Sequence, residues 1–107
     1  MLEDRPSKYF YETLSRSEFL YAPFSEIRLL QSSSRAIDNF IQVSLAATIS
    51  GLLQRMVELQ CFSSEEKFRT LISRSPHILQ QIPHKYLANY LGIDATNFSK
   101  LINRAII

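Results

Sequence analysis

The sequence predicts a mainly α-helical chain with a short N-terminal strand pair, one long central helix and a C-terminal three-helix domain. Three observations support this prediction. The N-terminal stretch is rich in aromatic residues, an apolar repeat of helical period runs through the middle of the chain, and three amphipathic helical patterns follow it. At 107 residues, 46% of them apolar, the chain has the size and composition of one domain or of two small ones.

Aromatic-rich runs at residues 8–14 and 18–22 predict the two strands. Two strands alone are marginal in water, so we expect this pair to lean on another sheet, a long helix or a second subunit. Beyond them, Ser25 and residues 26–30 predict a brief capped helix that ends in the polar residues 31–34.

The longest periodic segment runs from about Arg35 to Leu59. Its apolar residues are spaced alternately four and three apart, the a/d pattern of a helix-helix seam. A helix of about 25 residues is roughly 37 Å long, too long to be covered by so short a chain. We therefore favour a parallel dimer over a helix packed wholly within its own domain. The predicted dimer residues are Ile41, Leu45, Ile49, Leu52, Met56 and Leu59.

Three shorter helices are predicted after the long one. Ser63 with Glu66 forms the sequence of a capping box at the start of the first helix, and Pro76 ends it. Pro83 is a favoured first-turn residue for the second helix. In that helix we expect Tyr86 and Tyr90 to pack on neighbouring elements rather than stack on nucleic acid.

Residues 84–105 have the pattern of a helix-turn-helix. Apolar residues occupy one face of each helix: Leu87, Ala88 and Leu91 on the first, and Phe98, Leu101, Ile102 and Ala105 on the second. Gly92 can supply the positive φ of the turn, Ile93 can fill the angle between the helices, and Asp94 is a good N-cap for the second helix. Small, hydrogen-bonding or cationic side chains remain outward on the second helix, as they do on helices that bind in a major groove. The alternative is a glycine-turned helix pair that does not bind DNA.

The charge distribution favours nucleic acid. The whole chain carries a net charge of +2, but residues 67–107 contain six basic residues and one acidic residue, whereas the first 66 residues contain six basic and nine acidic residues. The sequence contains no uninterrupted apolar run of bilayer length and no signal segment, so we expect a cytoplasmic protein without membrane contact. A single cysteine, Cys61, excludes an intrachain disulfide and a thiolate metal site.

The order of these elements resembles the C-terminal half of the Crp-Fnr superfamily of bacterial transcription regulators. The segments PSKYFYETL and EFLYAPFSEIRLL look like the last strands of the cyclic-nucleotide-type β-roll and the helix after it. The segments SSEEKFRTLISRSP and IPHKYLANYLGIDATNFSKLINR look like the DNA-binding domain. The resemblance implies a β-roll remnant at 1–33, a dimerisation helix at 34–61 and a winged-helix-type helix-turn-helix domain at 62–107.

The resemblance also implies the partners: double-stranded DNA, a second copy of the chain and, as a further candidate, RNA polymerase. By position, the base-facing residues are Ala95, Thr96, Ser99 and Lys100, and the residues nearer the DNA backbone are Lys85, Asn97, Asn103 and Arg104. Arg69 and Arg74 are further phosphate candidates. Lys100 lies where family members often carry a guanine-binding arginine, and Ala95 can contact only a thymine methyl, so we expect modest sequence discrimination.

The chain departs from the family pattern in three ways. The cyclic-nucleotide cassette and the cysteine cluster of iron-sulfur members are missing, so we expect no cofactor. The sequence ends at Ile107, where many relatives continue into a β-hairpin wing, so we expect the wing to be short or absent. We expect a natural or cloned fragment of a longer regulator or a remnant gene product, two alternatives that the sequence leaves open.

Catalysis is not expected. His77 and His84 have no acidic residue at pairing spacing, and the sequence holds no glycine-rich phosphate loop and no set of metal ligands. We interpret His84 as a solvated surface residue. The alternative function is a truncated dimerisation and protein-interaction module whose helix-turn-helix is vestigial and whose basic face binds an acidic protein.

Overall fold

The computed structural model of the protein describes residues 4–106. These residues form six helices: α1 (Phe24–Ser33), α2 (Arg35–Cys61), α3 (Ser64–Arg74), α4 (Ile78–Gln81), α5 (His84–Leu91) and α6 (Ala95–Ile106). The prediction of a mainly helical chain is confirmed. Backbone contacts divide the chain into two units that meet within α2, one up to Ile49 and one from Ser50. The predicted three-part division stays a prediction, and its residues 1–3 and Ile107 lie outside the described range.

The predicted strand pair is not seen. Residues 4–106 contain no strand, and 8–14 and 18–22 have irregular, exposed backbone. The aromatic side chains of these runs lie in solvent, with Phe10 exposed to 88%. Strand pairs gain stability when a third element covers their apolar side chains, and two strands without such cover are marginal. β-propensity alone therefore does not establish strands here.

Pro23 stands at the start of α1, and Ser34 separates α1 from α2. Pro23 precedes α1 with a φ of −61° and makes no side-chain cap, so the predicted capping role of Ser25 is wrong. The fixed φ of proline suits a helix start without a hydroxyl cap. Ser34 separates the two helices, and its hydroxyl accepts a hydrogen bond from the Ile37 N–H at 3.4 Å. α1 and α2 are also joined where the Gln31 amide donates to Asp38 at 2.8 Å.

α2 is one uninterrupted helix of 27 residues. Most of its apolar side chains are exposed, including Leu52 at 60%. In residues 4–106, α2 is also the one helix that is long and apolar enough, by length and composition, to cross a membrane; core helices of soluble proteins pass the same criterion. Polar residues interrupt its apolar pattern, so the helix contains no unbroken apolar run of bilayer length.

The capping box at α3 is confirmed. The Ser63 hydroxyl accepts from the Glu66 N–H at 3.2 Å, and the Glu66 carboxylate accepts from the Ser63 N–H at 2.7 Å. The backbone hydrogen bond from Ser63 lowers the pKa of Glu66 below its ordinary value. α3 ends before Ser75 and Pro76, as predicted.

α3, α5 and α6 enclose one apolar core. Its buried members are Phe68, Leu71, Leu87, Ala88, Leu91, Ile93, Phe98, Leu101 and Ile102. Phe98, 1% exposed, lies edge-on to Phe68 with the ring centroids 5.7 Å apart. The short helix α4 was not predicted, and Ile78 and Leu79 on it pack against the core. Ala105, predicted on the apolar face of α6, is exposed because the core cluster ends one turn earlier at Ile102.

Candidate nucleic-acid interface

The turn between α5 and α6 is built around Gly92. This residue has φ 64° and ψ 35°, the left-handed conformation that the sequence predicts. Its N–H donates to the Asn89 carbonyl at 3.1 Å, and the Ile93 N–H donates to the Ala88 carbonyl at 3.0 Å. Both bonds satisfy carbonyl groups at the end of α5. Ile93 is buried beneath the turn, so the direction in which α6 leaves is fixed by backbone and core together.

Asp94 caps α6. Its carboxylate accepts from the Asn97 N–H at 2.9 Å and from the Asn97 side-chain amide at 2.5 Å. The backbone hydrogen bond from Asn97 is the main reason that the pKa of Asp94 lies below its ordinary value. The predicted cap is confirmed, but it engages the Asn97 amide, which was predicted to lie near the DNA backbone.

The outer face of α6 is polar and exposed. Seven predicted contact residues lie on it in solvent: Ala95, Thr96, Asn97, Ser99, Lys100, Asn103 and Arg104. The Ser99 hydroxyl donates to the Ala95 carbonyl at 3.0 Å, so this hydroxyl retains only acceptor capacity. Within residues 4–106 no carboxylate forms an ion pair with Lys100 or Arg104. Their charges are therefore available to an external anion.

α5 contributes one exposed cation near its start. The Lys85 ammonium lies 4.8 Å from the centroid of the Tyr86 ring, a weak cation–π contact at an exposed site. His84 is exposed, as expected, and its ring lies 5.9 Å from that of Phe98 in an edge-on arrangement. No group of three histidine, cysteine or acidic side chains suited to a metal ion occurs in the described part of the chain.

Two of the predicted phosphate contacts are engaged elsewhere. Arg69 pairs with Glu65 at 2.6 Å on the surface of α3, and Arg74 pairs with Glu58. From Ser50 onward the sequence carries seven basic and four acidic residues, net +3. The positive charge of residues 67–107 is thus partly compensated by carboxylates that precede them in sequence.

The last two turns of α2 meet α3 and α5 through polar side chains. Glu58 is 3% exposed and is the one charged residue among the buried side chains of residues 4–105. The Arg74 guanidinium donates to both of its carboxylate oxygens, one of them at 3.1 Å, and this bonding is the main cause of the lowered pKa of Glu58. Arg55 Nη1 lies 3.6 Å from Glu58 Oε2.

Arg55 also connects α2 with α5. Its guanidinium carbon lies 3.7 Å from the Tyr90 ring centroid, and its Nη2 group donates to the Tyr90 carbonyl oxygen. The expected packing of Tyr90 on a neighbouring element is confirmed. The role of Glu58 was not predicted, although Arg55 and Glu58 stand three residues apart at the end of a helix that carries no charged residue between Asp38 and Arg55.

The predicted dimer residues form an open strip along α2. Ile41 is half-buried, and Leu45, Ile49, Leu52, Met56 and Leu59 are exposed. The Leu59 side chain also reaches the α5–α6 turn, where its Cδ2 is 3.8 Å from the position of a Cβ built on Gly92. Leu59 therefore belongs to the apolar strip and also contacts the α5–α6 turn.

Comparison of the chain with protein-family models, with curated proteins and with solved structures gives no match. The geometry and charge of the chain itself are therefore the basis for assigning a function. Two features of the chain can support such an assignment: the polar outer face of α6 above a closed core, and the open apolar strip on α2.

Proposed function

We propose that the chain is a sequence-specific DNA-binding transcription regulator of the Crp-Fnr type that acts as a dimer. In this proposal α5 and α6 form a helix-turn-helix, α6 enters the major groove and α2 pairs two subunits. The observation that carries the proposal is the division of α6 into a buried face, with Phe98, Leu101 and Ile102, and an exposed face of small, polar and cationic side chains.

The base-contacting residues of the proposal are Thr96, Ser99 and Lys100, which follow one another at helical spacing on α6. Lys100 donates to the O6 and N7 acceptors of guanine, and Ser99 accepts from a cytosine or adenine amino group. Ala95 contacts a thymine methyl. Asn97 is assigned to the Asp94 cap rather than to DNA, because its amide already donates to that carboxylate.

The phosphate-contacting residues of the proposal are Lys85 and Arg104. Together with Lys100 they give about six cations per dimer, so log K falls against log salt with a slope of about −5. Dimer formation through the apolar strip of α2 brings two α6 helices to successive major grooves about 34 Å apart, on a palindromic site.

The first test is selection of binding sequences from a pool of random duplexes at two salt concentrations, with the oligomeric state followed by light scattering. The expected result is a dimer that enriches a palindrome and loses affinity as salt rises. A protein that enriches no sequence and shows no salt-dependent binding contradicts the proposal.

Matched variants test the assignment of roles. Lys100→Ala is expected to cost about 1 to 3 kcal/mol at one operator position, whereas Lys85→Ala weakens binding to all sequences alike. It also reduces the salt slope of the dimer by about 2, because each subunit loses one phosphate contact. Lys8→Ala is the control, because Lys8 is exposed far in sequence from α5 and α6. Equal losses on selected and random DNA for both Lys100→Ala and Lys85→Ala refute these roles.

A second candidate is a dimerising protein-interaction module with a vestigial helix-turn-helix. The observation that favours it is the set of exposed aromatic side chains before α1: Tyr9, Phe10, Tyr11, Phe19 and Tyr21. Exposed apolar groups of this density are typical of protein contacts. A stable dimer that binds DNA weakly, unselectively or not at all in the selection experiment favours this candidate.

A further inference from the structure

Four side chains, which we call the polar joint, connect the end of α2 to the helical domain: Arg55, Glu58, Arg74 and Tyr90. The buried core cluster of residues 4–106 is built from α3, α5, α6 and the α5–α6 turn, and it includes no side chain from α2. The contacts of α2 with this domain are the hydrogen bonds, ion pair and ring stacking of the polar joint, with Leu59 as an added contact at the turn.

The joint reaches both helices that support α6. Arg74 is the last residue of α3, and Tyr90 precedes the end of α5 by one residue, two positions before Gly92. Glu58 accepts from Arg74 with both oxygens, a bidentate arrangement that fixes the relative plane of the two groups. Arg55 completes the connection by lying near Glu58 and stacking on Tyr90. Apolar contacts alone would fix such an angle less strictly, because they are non-directional.

We propose that the polar joint fixes the angle between α6 and the part of α2 from Ser50 onward, and so sets the half-site spacing that the dimer accepts. Glu58 is its central positioning residue. This inference rests on the proposed function, because α2 sets the dimer axis there and α6 lies in the groove. Spacing between half-sites is then a direct consequence of the angle between the two helices.

Glu58→Gln is the variant that loosens the joint most gently. Removal of Arg74 would leave a buried carboxylate without its main partner, a change that destabilises proteins strongly. Glutamine keeps the shape of Glu58 and one acceptor oxygen, while Arg74, whose side chain is 49% exposed, stays solvated. Glu65→Gln is the matched control, because it makes the same chemical change in the exposed pair with Arg69.

The first measurement needs no DNA. Spin labels are attached through Ser50→Cys and Asn103→Cys in a Cys61→Ser background, and the labelled chain is diluted with unlabelled chain so that distances within one chain dominate. We expect a narrow distance distribution in the parent and in Glu65→Gln, and a broad one in Glu58→Gln with its helical content unchanged. An equally narrow distribution in folded Glu58→Gln overturns the inference.

The second measurement compares palindromes whose half-sites are moved apart or together by one or two base pairs. The parent is expected to prefer one spacing by about tenfold, and Glu58→Gln to retain about twofold, with equal affinity for random DNA and an unchanged dimer. Tyr90→Phe keeps the stacked ring and is expected to retain the preference, whereas Tyr90→Ala loses it. A uniform loss over all spacings, or a lower Tm with an intact preference, overturns the inference.

The two measurements separate this inference from the proposed function. If the parent selects no palindrome, the proposed function fails, and the distance distributions alone decide whether the joint holds α2 and α6. If the parent selects a palindrome and Glu58→Gln keeps both the narrow distribution and the spacing preference, the proposed function stands and the joint is refuted.

Discussion

Phe98 and Phe10 are the same side chain in opposite environments, since Phe98 is 1% exposed and Phe10 is 88% exposed. Phe98 lies among the helices α3, α5 and α6, whose apolar faces cover one another. Phe10 belongs to the irregular residues before α1, and the open strip of α2 resembles that segment in being apolar and uncovered. One part of the chain thus has its apolar partners within itself, whereas most apolar side chains of the other two parts are exposed.

The largest effect expected from this comparison is on stability. Phe98→Ala is expected to lower the free energy of unfolding by about 3 to 5 kcal/mol, because it removes a buried ring and leaves a cavity. Phe10→Ala is expected to change it by less than about 0.5 kcal/mol. Urea unfolding followed by circular dichroism measures both, and a loss for Phe10→Ala similar to that for Phe98→Ala would show that the N-terminal segment is packed in solution.

The next effect tests whether the open strip of α2 is covered by a second chain. Leu52→Lys is expected to raise the dimer dissociation constant by about a hundredfold, because two buried leucine side chains are lost per dimer. Ser50→Lys adds the same charge to the same helix outside the strip and is expected to leave the constant nearly unchanged. Sedimentation over a concentration series measures both. A monomeric parent, or equal effects of the two variants, argues against α2 as the interface.

The same comparison explains which parts of the fold could be predicted from sequence. The Gly92 turn, the Asp94 cap and the Ser63 capping box depend on residues at most five positions apart, and all three are present as predicted. The prediction of a strand pair was wrong because strand formation depends on contacts with distant residues, which a local sequence pattern does not reveal. For the same reason the Glu58–Arg74 pair was missed: its residues are 16 positions apart and belong to different helices.

For the candidate site, the sequence predicted which side chains of α6 are exposed. The outward side chains of α6 follow from helical periodicity alone, and the structure exposes all seven of them. Periodicity does not show which polar groups are already engaged within the chain. Asn97 is bound to Asp94, and Arg74 is bound to Glu58, so neither is as available to DNA as its position in sequence suggested.

A smaller effect is expected when each of the two glycines of the chain is replaced by alanine, with opposite changes in stability. Gly92→Ala is expected to lower the free energy of unfolding by about 1 to 2 kcal/mol, because alanine at φ 64° is strained although the added Cβ meets only Leu59 at 3.8 Å. Gly51→Ala is expected to raise it by up to about 1 kcal/mol, since Gly51 lies within α2 and an added Cβ meets no atom within 4 Å. Thermal unfolding of the two variants measures both changes in stability. If both variants are less stable than the parent, Gly51 is covered in the dimer.

The last effect, which is absent near neutral pH, is the dependence of stability on pH, and it comes from three carboxylates of the helical domain. Glu58, Glu66 and Asp94 have lowered pKa values, caused mainly by hydrogen bonds from Arg74, from the Ser63 backbone and from the Asn97 backbone, respectively. A carboxyl group with a lowered pKa binds protons less readily in the folded state than in the unfolded one. Its contribution to the free energy of unfolding is therefore complete at pH values above the ordinary carboxyl pKa. It is lost as pH falls through the folded pKa. We therefore expect a constant urea midpoint from pH 7 to about 5 and a progressive fall below that.

Glu58→Gln decides how much of this acid sensitivity comes from the polar joint. Glutamine does not titrate, so the variant is expected to start with a lower urea midpoint at pH 7 and to lose less of it on acidification than the parent. Lys100→Ala removes no carboxyl group and is expected to keep the slope of the parent. If Glu58→Gln and the parent fall in parallel, the acid sensitivity belongs to the caps at Ser63 and Asp94, and the joint contributes to orientation without contributing to the pH dependence of stability.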